Sequence, residues 1–164
     1  MKTELDLAMD RTFTALTAEG GMFQTVMVQR FGQDVPMIAA APPHLPAYFA
    51  YFCATHGDKT FIVDGEMRLS FADVYKAARH VAGGLVEGHG VQKGDRIAIA
   101  ARNSANWVIA YMAVLMAGGC ATLLNGWWSG EELAGGIDLV ECRLVIADGA
   151  RAQRLEGHDH GAAL

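Results

Sequence analysis

The sequence predicts an α/β fold, an incomplete three-layer α/β/α unit built on a parallel sheet. Hydrophobic residues make up 52% of the 164 residues and charged residues 19%, so the chain can bury a core and does not have a disordered composition. Three short apolar runs, at about 97–101, 120–124 and 143–147, alternate with segments long enough for helices. Strands that are apolar on both faces and alternate with helices are typical of a parallel sheet with right-handed crossovers.

Residues 1–44 are predicted to hold one helix followed by an irregular segment. Four apolar residues recur every three or four positions within residues 3–18 and predict an amphipathic helix that Gly20-Gly21 ends. These residues are Leu5, Met9, Phe13 and Leu16. The remainder contains Asp34-Val35-Pro36 and Pro42-Pro43, which predict irregular structure because proline interrupts regular hydrogen bonding.

The next segment is predicted to contain two helices separated by a hairpin. Residues 45–55 suit a helix with one apolar face. Two β-favouring runs flank Asp64-Gly65 and predict a β-hairpin near residues 61–69, since Asp-Gly tolerates the positive φ of a tight turn. Ser70, followed three residues later by Asp73, predicts the start of the second helix.

Residues 104–130 carry no charged side chain, which raises the alternative of a membrane span. Gly118-Gly119 and Asn125-Gly126 divide this run into a helix, capped by Asn103 or Ser104, and a short strand. Each piece is shorter than the roughly 20 continuous apolar residues that a membrane helix needs. We therefore expect a buried crossover and no membrane span, and a small membrane-anchored protein is the third-ranked alternative.

Two apparent catalytic motifs fail on spacing. Residues 88–94 resemble a phosphate loop, but they precede a strand where such a loop precedes a helix. Residues 126–130 resemble a nucleophile elbow, but Trp127 stands where that motif needs glycine. Ser129 instead matches a capping box with Glu132. The sequence predicts no catalytic residue, no cofactor-binding residue and no metal ligand.

The candidate ligand or interface residues lie where the predicted strands end. Ligands of open α/β sheets bind at the carboxyl ends of the strands, and Asn103, Asn125 and Trp127 follow such ends. Trp127 is adjacent to Trp128, for which we expect packing against the adjoining helix. The position of these residues predicts a site but does not define its chemistry.

Charge and cysteine content exclude several classes of protein. The formal charge is −5 and the 13 Lys and Arg are scattered, so nucleic acid is not an expected partner. Cys53, Cys120 and Cys142 lack the spacing of a disulfide framework or zinc site and are predicted to be buried thiols. The first residues lack the features of a secretory signal, so we expect a cytoplasmic protein.

Six short segments occur in an order and at a spacing typical of one enzyme family. They are Leu69-Ser70-Phe71, residues 90–99, Arg102-Asn103-Ser104, Met116-Ala117-Gly118-Gly119, Leu123-Leu124-Asn125 and Glu131-Glu132-Leu133. Together they resemble the N-terminal region of the adenylate-forming, AMP-binding acyl-CoA synthetases. The resemblance implies that residues 45–148 are a partial N-terminal domain of an AMP-dependent synthetase/ligase and that residues 149–164 are a short tail at a truncation point.

The resemblance also implies a chemistry for the full-length family. A carboxylic acid reacts with Mg-ATP to give an acyl-adenylate and pyrophosphate, and coenzyme A then displaces AMP, a reaction of fatty acid metabolism. The family's phosphate loop, magnesium and adenine motif and catalytic lysine lie downstream of the matched region. We therefore expect this chain alone to be inactive, to bind none of ATP, Mg and CoA, and to self-associate through an unpaired sheet edge.

A second hypothesis comes from a different class of protein. The chain could be a stand-alone protein-interaction module whose anchor is the Trp127-Trp128 loop, because exposed tryptophans often dominate the binding energy of interfaces. Replacing Trp127 separates the two hypotheses, since an interface anchor affects partner binding and a core residue affects stability.

Overall fold

The computed structural model describes residues 2–163 and divides into two compact units, Met1–His44 and Leu45–Leu164. The first unit contains α1 (Glu4–Thr17), β1 (Thr25–Arg30) and β2 (Gln33–Ile38). Thr3 and Asp6 form a capping box at the start of α1, which satisfies backbone donors that the first turn leaves free. None of the residues of α1 is buried, and Leu5, Met9 and Phe13 of its predicted apolar face are exposed, whereas Leu16 is half-buried.

Residues 25–38 form an antiparallel hairpin, which corrects the predicted irregular segment. Phe31 and Gly32 both have positive φ, 52° and 77°, as required by the two-residue turn whose twist suits a hairpin. Pro36 lies opposite Met27, three pairs from the hydrogen-bonded turn pair Arg30–Gln33. Because hydrogen-bonded and non-hydrogen-bonded pairs alternate along an antiparallel ladder, Pro36 is in a non-hydrogen-bonded pair and its missing N–H would face away from β1. Proline therefore removes no strand-pairing bond here, and its presence was a misleading signal.

The described part of the second unit contains five helices and five strands, of which two strands form a hairpin and three form a parallel sheet. Its elements are α2 (Leu45–His56), β3 (Thr60–Asp64), β4 (Met67–Ser70), α3 (Phe71–His89), β5 (Arg96–Ala100), α4 (Ala105–Met116), β6 (Cys120–Leu123), α5 (Gly130–Leu139), β7 (Leu144–Ala147) and α6 (Gly149–Leu155). The predicted hairpin is β3–β4, where Gly65 has a positive φ of 57°. The three predicted strands are β5, β6 and β7.

The sheet has the order β6-β5-β7, and all three strands are parallel. The central strand β5 is buried on both faces. Ile97 and Ile99 pack in one hydrophobic core with residues of α3 and α4, whereas Ala98 and Ala100 pack in another with residues of α5 and α6. Helices thus cover both faces of the sheet, and the predicted three-layer α/β/α arrangement is confirmed.

The predicted serine caps are confirmed and explain where the helices begin. Ser70 with Asp73, and Ser129 with Glu132, form capping boxes in which each side chain bonds the other residue's backbone N–H. The side-chain and backbone hydrogen bonds from Ser70 lower the pKa of Asp73. Ser104 caps α4, which decides between the two residues that the sequence left open.

Residues 149–155, assigned to the tail in the sequence analysis, form helix α6. Asp148 caps this helix, and Leu155 is buried in the core beside α5. Ala163 then pairs with Leu144 at the outer edge of β7. The helix is ordered by this burial rather than by its short sequence, which alone is too short to form a stable helix in water.

Two further expectations concern the thiols and the uncharged run. Cys53 and Cys142 are buried, and burial raises the pKa of both thiols, but Cys120 is exposed because it begins the edge strand β6. Among residues 2–163, no helix combines the length and apolar character needed to cross a bilayer. The uncharged run instead forms α4, whose inner face is buried against the sheet, and β6.

Candidate ligand site at the carboxyl edge of the sheet

A cleft of about 660 Å³ lies where β5 and β6 end. It is lined by Ala101, Arg102, Asn103, Trp107, Leu123, Leu124, Asn125, Gly126, Trp127 and Arg151. The three candidate residues of the sequence analysis therefore line one cleft. Parallel strands bring these loops together because their carboxyl ends share one edge of the sheet.

The loop from β6 to α5 is shaped by its own backbone. The side-chain oxygen of Asn125 accepts the Trp127 N–H at 3.0 Å, and the Asn125 carbonyl accepts the Trp128 N–H at 3.1 Å. Asparagine favours such turns because its short side chain reaches the backbone two residues on. Asn125 thus uses its oxygen to hold the turn that presents Trp127.

The two adjacent tryptophans have opposite environments. Trp127 is 88% exposed at the cleft, whereas Trp128 is half-buried and packs against the core around α5. Trp128 has the packing role that we expected for it. Trp127 is available to a ligand or partner at no cost in buried packing.

Arg151 is a component of the cleft that was not predicted from the sequence. Its guanidinium is buried, and its Nε and Nη2 donate to the Gly126 carbonyl at 2.8 and 2.5 Å. Arg154 donates from Nη1 to the carbonyls of Gly126 and Trp128, at 3.1 and 2.9 Å. Charged donors make strong hydrogen bonds, so two residues of α6 hold the tryptophan loop in place.

Asp148 connects the loop after β5 to the same helix. Its Oδ1 accepts the Arg151 backbone N–H at 3.0 Å, its Oδ2 accepts the Arg102 backbone N–H at 3.0 Å, and its carboxylate pairs with the Arg151 guanidinium at 3.1 Å. Burial alone would raise the pKa of Asp148, but these hydrogen bonds and the positive charge of Arg151 outweigh it and lower that pKa.

The two arginines that line the cleft differ in whether their charge is paired. Arg151 is neutralised by Asp148, whereas the Arg102 guanidinium has no hydrogen-bond or ion-pair partner within the described part of the chain. An exposed guanidinium beside two asparagines and an indole suits a ligand with an anionic group and a flat apolar part. Residues 2–163 contain no cluster of three or more His, Cys, Asp or Glu that could hold a metal ion.

One local signal could have revealed the missed residues. Asp148 directly follows the third apolar run, and Asp before a short segment ending in Leu155 is a typical helix start. An extended tail would leave Arg151 and Arg154 in solvent, but a helix turns them toward the loop. Their burial could not be read from the sequence, because it depends on a loop about 25 residues away in the chain.

A sequence profile described as AMP-binding enzyme matches residues 49–163, well over half of the chain. The chain belongs to the AMP-binding enzyme family. This confirms the resemblance that six segments between Leu69 and Leu133 indicated.

Similar proteins include two bacterial fatty-acid–CoA ligases. A medium/long-chain-fatty-acid–CoA ligase, FadD6, of Mycobacterium tuberculosis is 34% identical over 95 residues, covering 58% of this chain and 16% of the relative. A long-chain-fatty-acid–CoA ligase of Bacillus subtilis is 38% identical over 111 residues, covering 67% of this chain and 20% of the relative. The chain thus spans about a sixth to a fifth of the length of these relatives.

Solved structures show the same fold. A benzoate CoA ligase from Burkholderia xenovorans LB400 superposes with a TM-score of 0.65 and 24% sequence identity, over 73% of this chain and 24% of the other. This likeness supports the α/β fold of the part of the chain that superposes.

Proposed function

We propose that this chain supplies the N-terminal part of an AMP-dependent acyl-CoA ligase, which converts a carboxylic acid, ATP and CoA to acyl-CoA, AMP and pyrophosphate. The family match over residues 49–163 carries this proposal. Two similar proteins named as fatty-acid–CoA ligases favour a fatty acid as the carboxylic acid. In this proposal residues 45–148 are a partial N-terminal domain, residues 1–44 precede it, and the enzyme works in the cytoplasm.

We further propose that the 164-residue chain does not form adenylates by itself. The family resemblance places the phosphate loop, the magnesium and adenine motif and the catalytic lysine beyond the matched region. ATP, Mg and CoA are then ligands of a whole enzyme of which this chain is one part. Adenylation needs positive charge and backbone donors where negative charge develops at the α-phosphate, and these belong to the other parts.

A chimera tests the proposed family function. Residues 49–163 would replace the corresponding segment of the Bacillus subtilis long-chain-fatty-acid–CoA ligase, and acyl-CoA formation would be measured with long-chain fatty acids. We expect a folded chimera with measurable ligase activity, because the segment has the family fold. A chimera with native circular dichroism and a sharp thermal transition but no ligase activity would contradict the proposal.

Pyrophosphate exchange tests the inactivity of the isolated chain. The purified chain would be incubated with ATP, Mg, labelled pyrophosphate and a panel of carboxylic acids, with the Bacillus subtilis ligase as positive control. We expect no acid-dependent exchange from the chain alone. Exchange that depends on one acid and tracks the chain through purification would overturn this part of the proposal.

The roles of Asn103, Asn125 and Trp127 belong to the same proposal. We propose that Asn125 positions the loop and that Asn103 and Trp127 contact a ligand of the whole enzyme at the cleft. In the chimera, Trp127→Ala should raise a substrate KM while leaving the melting temperature unchanged, because Trp127 is 88% exposed. Trp128→Ala is the matched control and should lower the melting temperature. Unchanged kinetics in the Trp127 variant would exclude the ligand role.

A further inference from the structure

A second cavity, of about 430 Å³, lies between α2, β3, α4 and the first residue of α3. Aromatic side chains form most of its walls. They come from Tyr48, Phe49, Phe52, Phe61, Phe71 and Tyr111, and we call the space between them the aromatic cavity. Cys53 and Met112, both nearly fully buried, also line it and join it to the core below.

The rings of the aromatic cavity position one another. Phe61 and Phe71 are stacked with centroids 4.3 Å apart and planes 12° apart. Phe49 and Tyr111 meet edge to face, with centroids 6.3 Å apart. Because the pairs come from different helices and a strand, the ring faces and edges are fixed by tertiary packing. Such faces and edges are complementary to those of another aromatic ring.

The walls also define the charge of an occupant. As far as the structure describes the chain, they contain no Lys, Arg, Asp or Glu, and their polar groups are the hydroxyls of Tyr48 and Tyr111, the imidazole of His56 and the Cys53 thiol. A carboxylate or phosphate entering the cavity would lose hydration without gaining a counter-charge. A neutral molecule loses much less. The absence of a permanently charged side chain therefore favours a neutral occupant, in contrast to the cleft beside Arg102.

The size of the cavity fits a small ring compound. Ligand pockets typically measure about 300–1,000 Å³, and an apolar cavity of about 150 Å³ is sufficient for benzene. We propose that the aromatic cavity is a binding site for a small neutral aromatic molecule, held by ring contacts with α2, β3 and α4. This inference is independent of the proposed ligase function, whose acid substrate is anionic.

The test uses the whole chain labelled with ¹³C at its methionine methyl groups. Met112 lines the cavity, whereas Met27 is an exposed residue of the first unit and reports nonspecific effects. Benzyl alcohol is the probe, and benzoate is its matched anionic counterpart. We expect benzyl alcohol to shift the Met112 signal saturably and to leave Met27 unchanged. Benzoate should bind more weakly by a factor on the order of ten or more, because its charge is not matched.

Two variants locate the binding. Val108→Trp places an indole in the cavity wall and should abolish the Met112 response, whereas Val86→Trp makes the same change at an exposed position of α3 and should preserve it. If Val108→Trp does not fold, Phe61→Ala takes its place as the test variant. It removes an aromatic ring that is 40% exposed and should weaken the binding of benzyl alcohol. The proposal is overturned if Met112 does not respond, if benzoate matches benzyl alcohol, or if the Met112 signal changes only with protein concentration, as contact with a second copy would cause.

Discussion

Trp128 has a place in the core because the residue facing it is a glycine. A Cβ added at Gly136 would lie 2.8 Å from Cζ3 of the Trp128 ring, closer than real contacts allow. A Cβ at the neighbouring Gly135 would meet no atom within 4 Å. Two adjacent glycines of α5 thus have different roles, since only Gly136 makes room for the indole.

Alanine substitution separates the two glycines. Gly136→Ala should lower the free energy of unfolding by about 1–3 kcal/mol, because the indole must move from its packed position. Gly135→Ala is the control and should raise it by up to about 1 kcal/mol, because alanine favours helix. Urea unfolding followed by circular dichroism measures both. Equal effects of the two substitutions would show that Trp128 is not packed against Gly136.

The C-terminal end of α3 is hydrogen-bonded by Arg143, a residue from a distant segment of the chain. Arg143, just before β7, donates to the carbonyls of His89 and Gly90 at 2.8 and 3.0 Å, and it pairs with Asp95 at 2.9 Å. A cation at a helix C-terminus satisfies free carbonyls and interacts favourably with the helix dipole. The end of α3 is therefore stabilised by a residue more than 50 positions later in the chain.

Arg143→Ala should lower the free energy of unfolding by about 1–2 kcal/mol, since it removes the donor of two helix carbonyls and the ion pair with Asp95. Arg96→Ala is the matched control, because among residues 2–163 the Arg96 guanidinium pairs only with Glu141, at an exposed site, and its loss should change stability by less than about 0.5 kcal/mol. Chemical denaturation distinguishes them. An Arg143 variant as stable as the Arg96 variant would refute the capping role.

The cap of α6 predicts a dependence of stability on pH. The folded state lowers the pKa of Asp148 from its ordinary value of 3.8, so the unfolded chain binds this proton more tightly than the folded chain. The resulting stability is complete above the ordinary value and is lost as pH falls through the lowered value.

The measurement is the free energy of unfolding between pH 2.5 and 6 for the native chain and for Asp148→Asn, a pH range chosen to bracket the ordinary Asp value of about 4. We expect a smaller acid-induced loss in the variant, because asparagine still caps a helix but does not titrate there. Asp10→Asn is the control, since Asp10 is exposed in α1. Identical acid slopes for the native chain and Asp148→Asn would contradict the prediction.

At the scale of the whole molecule, the sheet has an open edge. Within the described residues β6 pairs only with β5, and Leu123 on this strand is 50% exposed. Unpaired strand edges promote association with another strand. The unpaired edge of β6 is therefore the surface through which self-association is expected. Self-association itself stays a prediction.

Light scattering tests whether the chain self-associates through the edge of β6. We expect species larger than the 17.6 kDa chain, and we expect Leu123→Lys to reduce them because a charge on an edge strand opposes pairing. Leu139→Lys is the matched control, since Leu139 is 84% exposed on α5 and not on the edge. A native chain that scatters as a 17.6 kDa monomer at all concentrations would exclude this association.

Local patterns in the sequence were sufficient for most elements and for the edge of the candidate site. Ser70 and Ser129 mark helix starts because their partners lie three residues away. The apolar runs mark β5, β6 and β7 because a doubly covered strand must be apolar on both faces. The hairpin at residues 25–38 was missed because its turn places Phe31, not a typical turn residue, at positive φ.

The sequence by itself determined the fold class, the family and the placement of Asn103, Asn125 and Trp127 at one edge of a parallel sheet. Only the tertiary structure decided that Trp127 is exposed while Trp128 packs, and that Arg151 and Arg154 hold their loop. The physical reason is the range of the interactions. Helix caps and strand patterns depend on neighbours in the chain, whereas burial and guanidinium pairing depend on segments that meet only after folding.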